Sequence, residues 1–349
     1  MSHFKKYFLY RFRSVMWLTV VLCILAVILV QSSVSVYMGT YYEWDEGTDT
    51  SIEYERINID NFGIVAFILG AACTVMPILE LGGLKNKRNV DTLYTLPVSR
   101  SKMALAHYLN GLVQSSVIYT VAYIALVIKI LTSSMLDYIN SPILLLPCYF
   151  VVLLAGVAVY SMFAAIFNSA NTVADGCLFI AVWSLLPTFL VMAIEELGSR
   201  TSGIMDIPFI DESSGLSMYP HSVMAITENF FRALTGQMAY RRSYTKEMIF
   251  WTIVGAALAG VYFYSFVHKR AEKINDSSDT FFGYRTIIPI IVFCLSVSTD
   301  TELLSIIFAV LAAVVGYMLY RRSFKMKMKD IVITSCIIAF VSISVHLLG

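Results

Sequence analysis

Three groups of residues carry side chains able to do chemistry. Glu195-Glu196-Leu-Gly-Ser-Arg200 sets two carboxylates and a guanidinium within six residues. That pattern activates water for intramembrane proteolysis only when a Phe-x-x-x-His and a His-x-x-x-Asn/Asp segment join it. Neither surrounds His107, His221, His268 or His346, so the match is read as chance and no hydrolase is expected. The six cysteines, Cys23, Cys73, Cys148, Cys177, Cys294 and Cys336, all lie in apolar runs without a Cys-x-x-Cys pair. They are read as small apolar side chains, and no metal is expected. No Gly-x-x-x-x-Gly-Lys-Ser/Thr occurs, and Gly82-Gly83-Leu84-Lys85 does not substitute for it, so the chain has no phosphate-binding loop with which to hydrolyse ATP. It is expected to be no enzyme and to bind no cofactor itself.

The third group is the segment from Glu80 to Met103. Four residues, Asn168 to Asn171, suffice to connect two apolar runs elsewhere in this chain, so some twenty residues of mixed charge with spaced apolar groups ask for a purpose. Asn89 to Leu96 can form a short amphipathic helix with Val90, Leu93 and Tyr94 on one side, stopped by Pro97. Ser99 can cap the helix that follows. Lying under a membrane between two spans, such a helix is a lever for a cytosolic partner.

The elements that must position these residues are membrane spans. The 349 residues are 58% hydrophobic and 14% charged, with mean hydropathy +0.73, outside the range of soluble domains. Runs long enough for a ~30 Å hydrocarbon core recur between short charged loops, and backbone in lipid must pair internally, as helix. An amphipathic segment, residues 1–14, precedes a first span from Val15 to Tyr37, read as an uncleaved anchor. A polar loop to Asn61 follows. Further spans are expected at 62–79, 103–131, 143–167, 172–194, 248–267, 281–298, 303–320 and 331–348, the seventh interrupted by Arg285 and Pro289. The fold expected is an all-α polytopic membrane protein of about nine spans. Its parts are residues 1–14; a six-span core, 15–275, with a coupling loop at 80–102 and an outer segment at 195–247; and extra spans in 276–349.

Lys and Arg orient this arrangement. The N-terminus (Lys5, Lys6, Arg11, Arg13) and three alternate loops (85–102, 269–285, 321–329) hold 18 of the 25 basic residues. The first loop on the other side carries seven carboxylates against Arg56. The positive-inside rule then places the N-terminus in the cytoplasm. Lys129 and Asp175 fall near span ends, where they can snorkel.

The segment Glu80, Asn89 to Thr95, and Leu96-Pro97-Val98-Ser99-Arg100 resembles the coupling region of type-2 ATP-binding-cassette exporter permeases. That family has an acidic residue ending the second span, a short cytosolic helix and a Leu-Pro-hydrophobic-Ser/Thr-Arg stretch opening the third. An interfacial N-terminal helix, a tight hairpin after the fourth span and an outer excursion before the sixth extend the resemblance over about residues 1 to 275. It implies that Glu80, Arg88, Asp91, Leu93, Tyr94, Pro97 and Arg100 couple the chain to a cytosolic ATPase subunit, with ATP and Mg on that partner. It implies further that a second permease chain completes the path and that Tyr219, Pro220 and Phe230 belong to an outer gate. The substrate class implied is peptide, drug or lipid-like, moved across a bacterial plasma membrane.

Polar residues on the third span, Asn110, Gln114 and Ser115, either line a path or serve helix packing. With them an ion-coupled carrier stays open as an alternative, although ionisable groups at mid-span, where charge is costly, are nearly lacking. A receptor or scaffold that uses the outer segment is the remaining alternative.

Overall fold

The computed structural model describes the chain except residues 1–2, 46–49, 88, 90–94, 96, 134–141, 203–244, 270–271, 273–275, 277, 298–301, 324–325 and 349. The chain divides into two compact units. One comprises Met1–Glu80, Leu105–Ser161 and Pro220–Leu258; the other comprises Leu81–Ala104, Met162–Tyr219 and Ala259–Gly349.

In the first unit, helix α1 runs His3–Ser33 without a break. The segment expected at the interface and the first span are therefore one continuous helix, since no Pro or Gly falls between His3 and Ser33 to end it. The expected polar loop is corrected. Strands β1 (Ser35–Asp45) and β2 (Thr50–Asp60) form an antiparallel hairpin with Tyr41 opposite Tyr54 and Ser35 opposite Asp60. Both strands are rich in β-branched and aromatic residues (Val36, Tyr41, Tyr42 and Trp44 on β1; Ile52, Tyr54, Ile57 and Ile59 on β2), the types that favour extended backbone. Asn61 then takes φ 56° and donates its side-chain N–H to Ser33 O at 3.0 Å. This left-handed residue turns the chain into α2, Ile64–Gly82.

Helices α3 (Arg100–Leu131) and α4 (Leu145–Ser169) complete the packing around α2. Pro77 lies inside α2 and withholds the N–H that Cys73 O would otherwise accept, one turn before Glu80. Gly111 of α3 lies under the Tyr160 ring of α4, so closely that any side chain there would overlap it. Tyr108 beside it shares a 2.6 Å hydrogen bond with Ser161.

In the second unit, α5 (Val173–Ser202) follows the tight turn after α4; α6 runs Thr245–His268, its residues from Ala259 onward in this unit. Thr172 Oγ1 accepts from Asp175 N at 3.0 Å, capping α5. The Asp175 carboxylate accepts from Ser278 at 2.7 Å and Tyr284 at 2.9 Å. Helices α7 (Tyr284–Val297), α8 (Glu302–Arg321) and α9 (Met328–Leu348) share a core of Ile288, Val292, Ala309, Ala313 and Tyr317. Arg321 donates to Asp330 at 2.8 Å across the α8–α9 turn.

Among the described residues, six helices are long and apolar enough to cross a membrane: Phe4–Ser33, Ile64–Lys85, Arg100–Leu131, Leu145–Ser169, Trp251–His268 and Leu303–Arg321. Two shorter apolar stretches of the described residues are also helical: Val173–Leu186, the first part of α5, and Tyr284–Val297. The second of these has 14 residues, about 21 Å at 1.5 Å per residue. Pro289 sits within that helix rather than breaking it. Large apolar side chains such as Trp17, Ile24 and Ile28 of α1 are exposed, while Glu80, His107, Asn110 and Gln114 are buried among mostly apolar neighbours. Apolar surface on long apolar helices is what lipid as solvent selects, and the chain is a helical polytopic membrane protein.

Candidate functional site

Several buried polar residues of the first unit converge on Glu80, in the last turn of α2, whose side chain is wholly enclosed. Three helices supply its partners. Arg11 of α1 reaches it with Nη2, 3.3 Å from Oε2 and 2.9 Å from the Glu80 backbone O. His107 Nδ1 of α3 lies 3.2 Å from the same Oε2, and Gln114 Nε2 donates to Oε1 at 3.4 Å.

Around that core lies a second ring. His107 Nε2 is 2.9 Å from the Tyr7 hydroxyl, and Gln114 Oε1 accepts from Thr19 Oγ1 at 2.6 Å. An ionised carboxylate only accepts, so with His107 neutral one assignment satisfies the row: Nδ1–H donates to Glu80, and Nε2 accepts from Tyr7 O–H. Tyr7, His107 and Glu80 thus form a continuous hydrogen-bonded line with an ionisable group at each position.

Helical spacing brings these groups together. Tyr7 and Arg11 are four residues apart on α1, and His107 and Gln114 are seven apart on α3, so each pair shares a face. Burying a carboxylate costs several kcal/mol unless it is paired, and Arg11 supplies the countercharge. Among the described residues, two buried polar side-chain atoms have no hydrogen-bond partner, Arg11 Nε and Asn110 Oδ1. Asn110 Nδ2 donates to Phe8 O at 3.3 Å. Arg11 thus joins α1 to this cluster, and Asn110 joins α3 to α1 beside it.

Of the residues expected to couple, Glu80 is the center of this cluster. Lys87 and Asn89, at the start of the loop, are helical and exposed, but Arg88, Asp91, Leu93 and Tyr94 lie outside the described residues. Pro97 is exposed. Ser99 O accepts from Met103 N at 3.0 Å, as the residue before a helix does. Within the second unit, Arg100 opens α3 and donates Nη1 to Val267 O at 3.5 Å and Lys269 O at 3.3 Å. A cation is disfavoured at its own helix start but favoured at the end of α6.

Of the expected path residues, Gln114 belongs to the Glu80 cluster. Ser115 Oγ bonds Gly111 O at 2.9 Å and Ala72 O of α2 at 3.4 Å. Tyr219, Pro220 and Phe230 lie outside the described residues. Lys129 donates to Gln31 O at 2.6 Å, near the end of α1.

Sequence reasoning missed Tyr7, Arg11, Thr19 and His107 as site residues. Arg11 was read only as a topology charge, and His107 only against a hydrolase pattern. Their signal was positional: His107, Asn110 and Gln114 make a polar stripe at helical spacing within an apolar span.

No family model matches the chain, and no curated protein and no solved structure matches it either.

Proposed function

We propose that the chain is the permease subunit of a type-2 ATP-binding-cassette exporter, driven by a separate ATPase that engages the loop after Glu80. The observation that carries this reading is the enclosed Glu80 carboxylate, held by α1 through Arg11 and by α3 through His107 and Gln114. Glu80 sits two residues before the end of α2 at Gly82, so a displacement passed along that last turn from the segment that follows pulls on a point fixed to three helices at once. In a packed interior such a point moves as a unit rather than deforming. The residues quoted for the resemblance, with Glu80 among them, support the same reading. On it, the loop faces the cytosol, the site is the plasma membrane, and a second permease chain lines the path.

Purification of the tagged full chain in mild detergent tests the proposal. An ATPase with a phosphate-binding loop is expected in equal stoichiometry, and purification of the chain without one would overturn the reading.

The Tyr7–His107–Glu80 line gives one specific observation in favour of the ion-coupled alternative. Buried ionisable groups in hydrogen-bond contact are the usual parts of a proton route. In proteoliposomes without ATPase, solute uptake that follows an imposed proton gradient would select this alternative.

A further inference from the structure

Helix α5 of the second unit is longer than a bilayer core is thick. Its 30 residues rise about 45 Å at 1.5 Å each, against about 30 Å of hydrocarbon. The turn before it, where the candidate span Leu145–Ser169 ends, marks one boundary of the core. Counted from Val173, the middle of the core falls about nine residues on, near Val182, and the far boundary about twenty on, near Ala193. Glu196, one turn further, stands at headgroup depth.

Over this same half of α5 runs a groove of about 590 Å³, between α5 and α7. Val182, Leu185, Phe189, Met192 and Glu196 form its α5 wall, in steps of three and four residues that keep to one helix face. Ile291, Cys294 and Leu295 form the α7 wall. The floor is closed, because Ala193, Cys294 and Val297 pack together with Val341 of α9. The side is open: Leu185, Phe189 and Met192 are exposed, and around a membrane-spanning helix the surrounding solvent is lipid.

Length and chemistry describe the occupant. From Val182 to Glu196 the groove follows α5 for about 21 Å, which is one leaflet's hydrocarbon, about 15 Å, and the start of its headgroups. Its walls are apolar except at Glu196, the pattern of a ligand site in which a single polar group fixes orientation. From Val182 to Ser202 the charged residues of α5 are Glu195, Glu196 and Arg200, a net negative charge, so the polar end suits a cation. Glu196 engages other groups of the chain, and a carboxylate accepts at about four lone-pair sites, so those contacts are compatible with an added donor.

We propose that this groove holds one phospholipid with an ammonium headgroup, phosphatidylethanolamine, an acyl chain lying along Val182 to Met192 and the ammonium donating to Glu196. A guest of hydrocarbon alone would leave the carboxylate end unused, and a soluble amine would leave the apolar stripe unused. A lipid of that leaflet matches both. The site is independent of the exporter reading, because it draws on neither the coupling loop nor Glu80.

Native mass spectrometry of the full chain in mild detergent, titrated with phosphatidylethanolamine or with phosphatidylglycerol of the same acyl chains, tests it. One phosphatidylethanolamine should be retained about tenfold more tightly, the worth of one charge-assisted hydrogen bond. Glu196→Gln should remove that preference, and Glu196→Asp should keep it. Met192→Trp, which fills the groove from its exposed side and leaves the carboxylate intact, should block retention and keeps the test decisive if Glu196→Gln fails to insert. Equal retention of the two lipids by the natural chain, or a preference that survives Met192→Trp, would overturn the proposal. A two-chain species that carries no lipid and is abolished by Met192→Trp would assign the groove to a second copy of the chain and would also overturn it.

Discussion

Replacing Glu80 with Gln removes the negative charge of the first-unit cluster with little change in shape. Taking one partner from a buried ion pair costs about 3–5 kcal/mol. Two features lower that figure here: Arg11 keeps 18% of its side chain exposed, and its 2.9 Å bond to the Glu80 backbone O survives the substitution. The expected loss for Glu80→Gln is about 2–3 kcal/mol. Arg11→Met should cost a similar amount, because it leaves the carboxylate enclosed with only His107 and Gln114 to bond it. In the double variant neither charge is stranded, so the combined loss should fall short of the sum by about 1–2 kcal/mol. Reversible unfolding in mixed detergent micelles, followed by tryptophan fluorescence, measures all three. Losses that add to within about 0.5 kcal/mol would refute the idea that Arg11 and Glu80 are one electrostatic unit.

Gly111→Val should destabilise by about 1–3 kcal/mol by displacing the Tyr160 ring, and the same unfolding assay reads it. Asp175→Ala strands the Ser278 and Tyr284 hydroxyls and should cost about 1–3 kcal/mol, with Asp175→Asn intermediate. The Lys269 pKa lies near 8 in the folded chain against an ordinary 10.5, so its contribution to stability is present above pH 10.5 and lost as pH falls through about 8. Lys85, His268 and Arg100 share its surroundings, and Asp175 faces Lys85. The melting temperature should therefore rise between pH 8 and 10.5, and Lys269→Met should flatten that rise in a fluorimetric melt. On the exporter reading, Leu93→Asp should uncouple ATP hydrolysis from export while membrane insertion stays normal; unchanged transport in vesicles would count against that contact.

Most of the spans were legible because length and apolarity are properties of a local window. The turn at Asn168 to Asn171 and the helix beginning after Ser99 were legible for the same reason. The β1–β2 hairpin was not. Its carboxylates, Glu43, Asp45, Glu53 and Glu55, dominate a reading by charge, whereas Tyr41, Trp44, Ile52 and Tyr54 decide its backbone. The amphipathic segment expected over residues 1–14 runs into the first span as one helix, since nothing between His3 and Ser33 withholds a backbone bond. The candidate site was half legible. Glu80 and Gln114 stood out as polar residues in apolar runs, but the pairing of Arg11 with Glu80 spans 69 residues and that of Tyr7 with His107 spans 100. No window of sequence contains such a contact, and only the packing of α1 against α2 and α3 creates it.

Those separations bear on synthesis. At about 5–20 residues per second, the Tyr7 hydroxyl emerges roughly 5–20 s before the imidazole that it will meet, and the Arg11 guanidinium waits several seconds for its carboxylate. Throughout that interval the first helix must rest near the translocon with an unmatched cation. The newborn chain is then most exposed to misinsertion, and most in need of a chaperoning neighbour, before its third helix has left the ribosome.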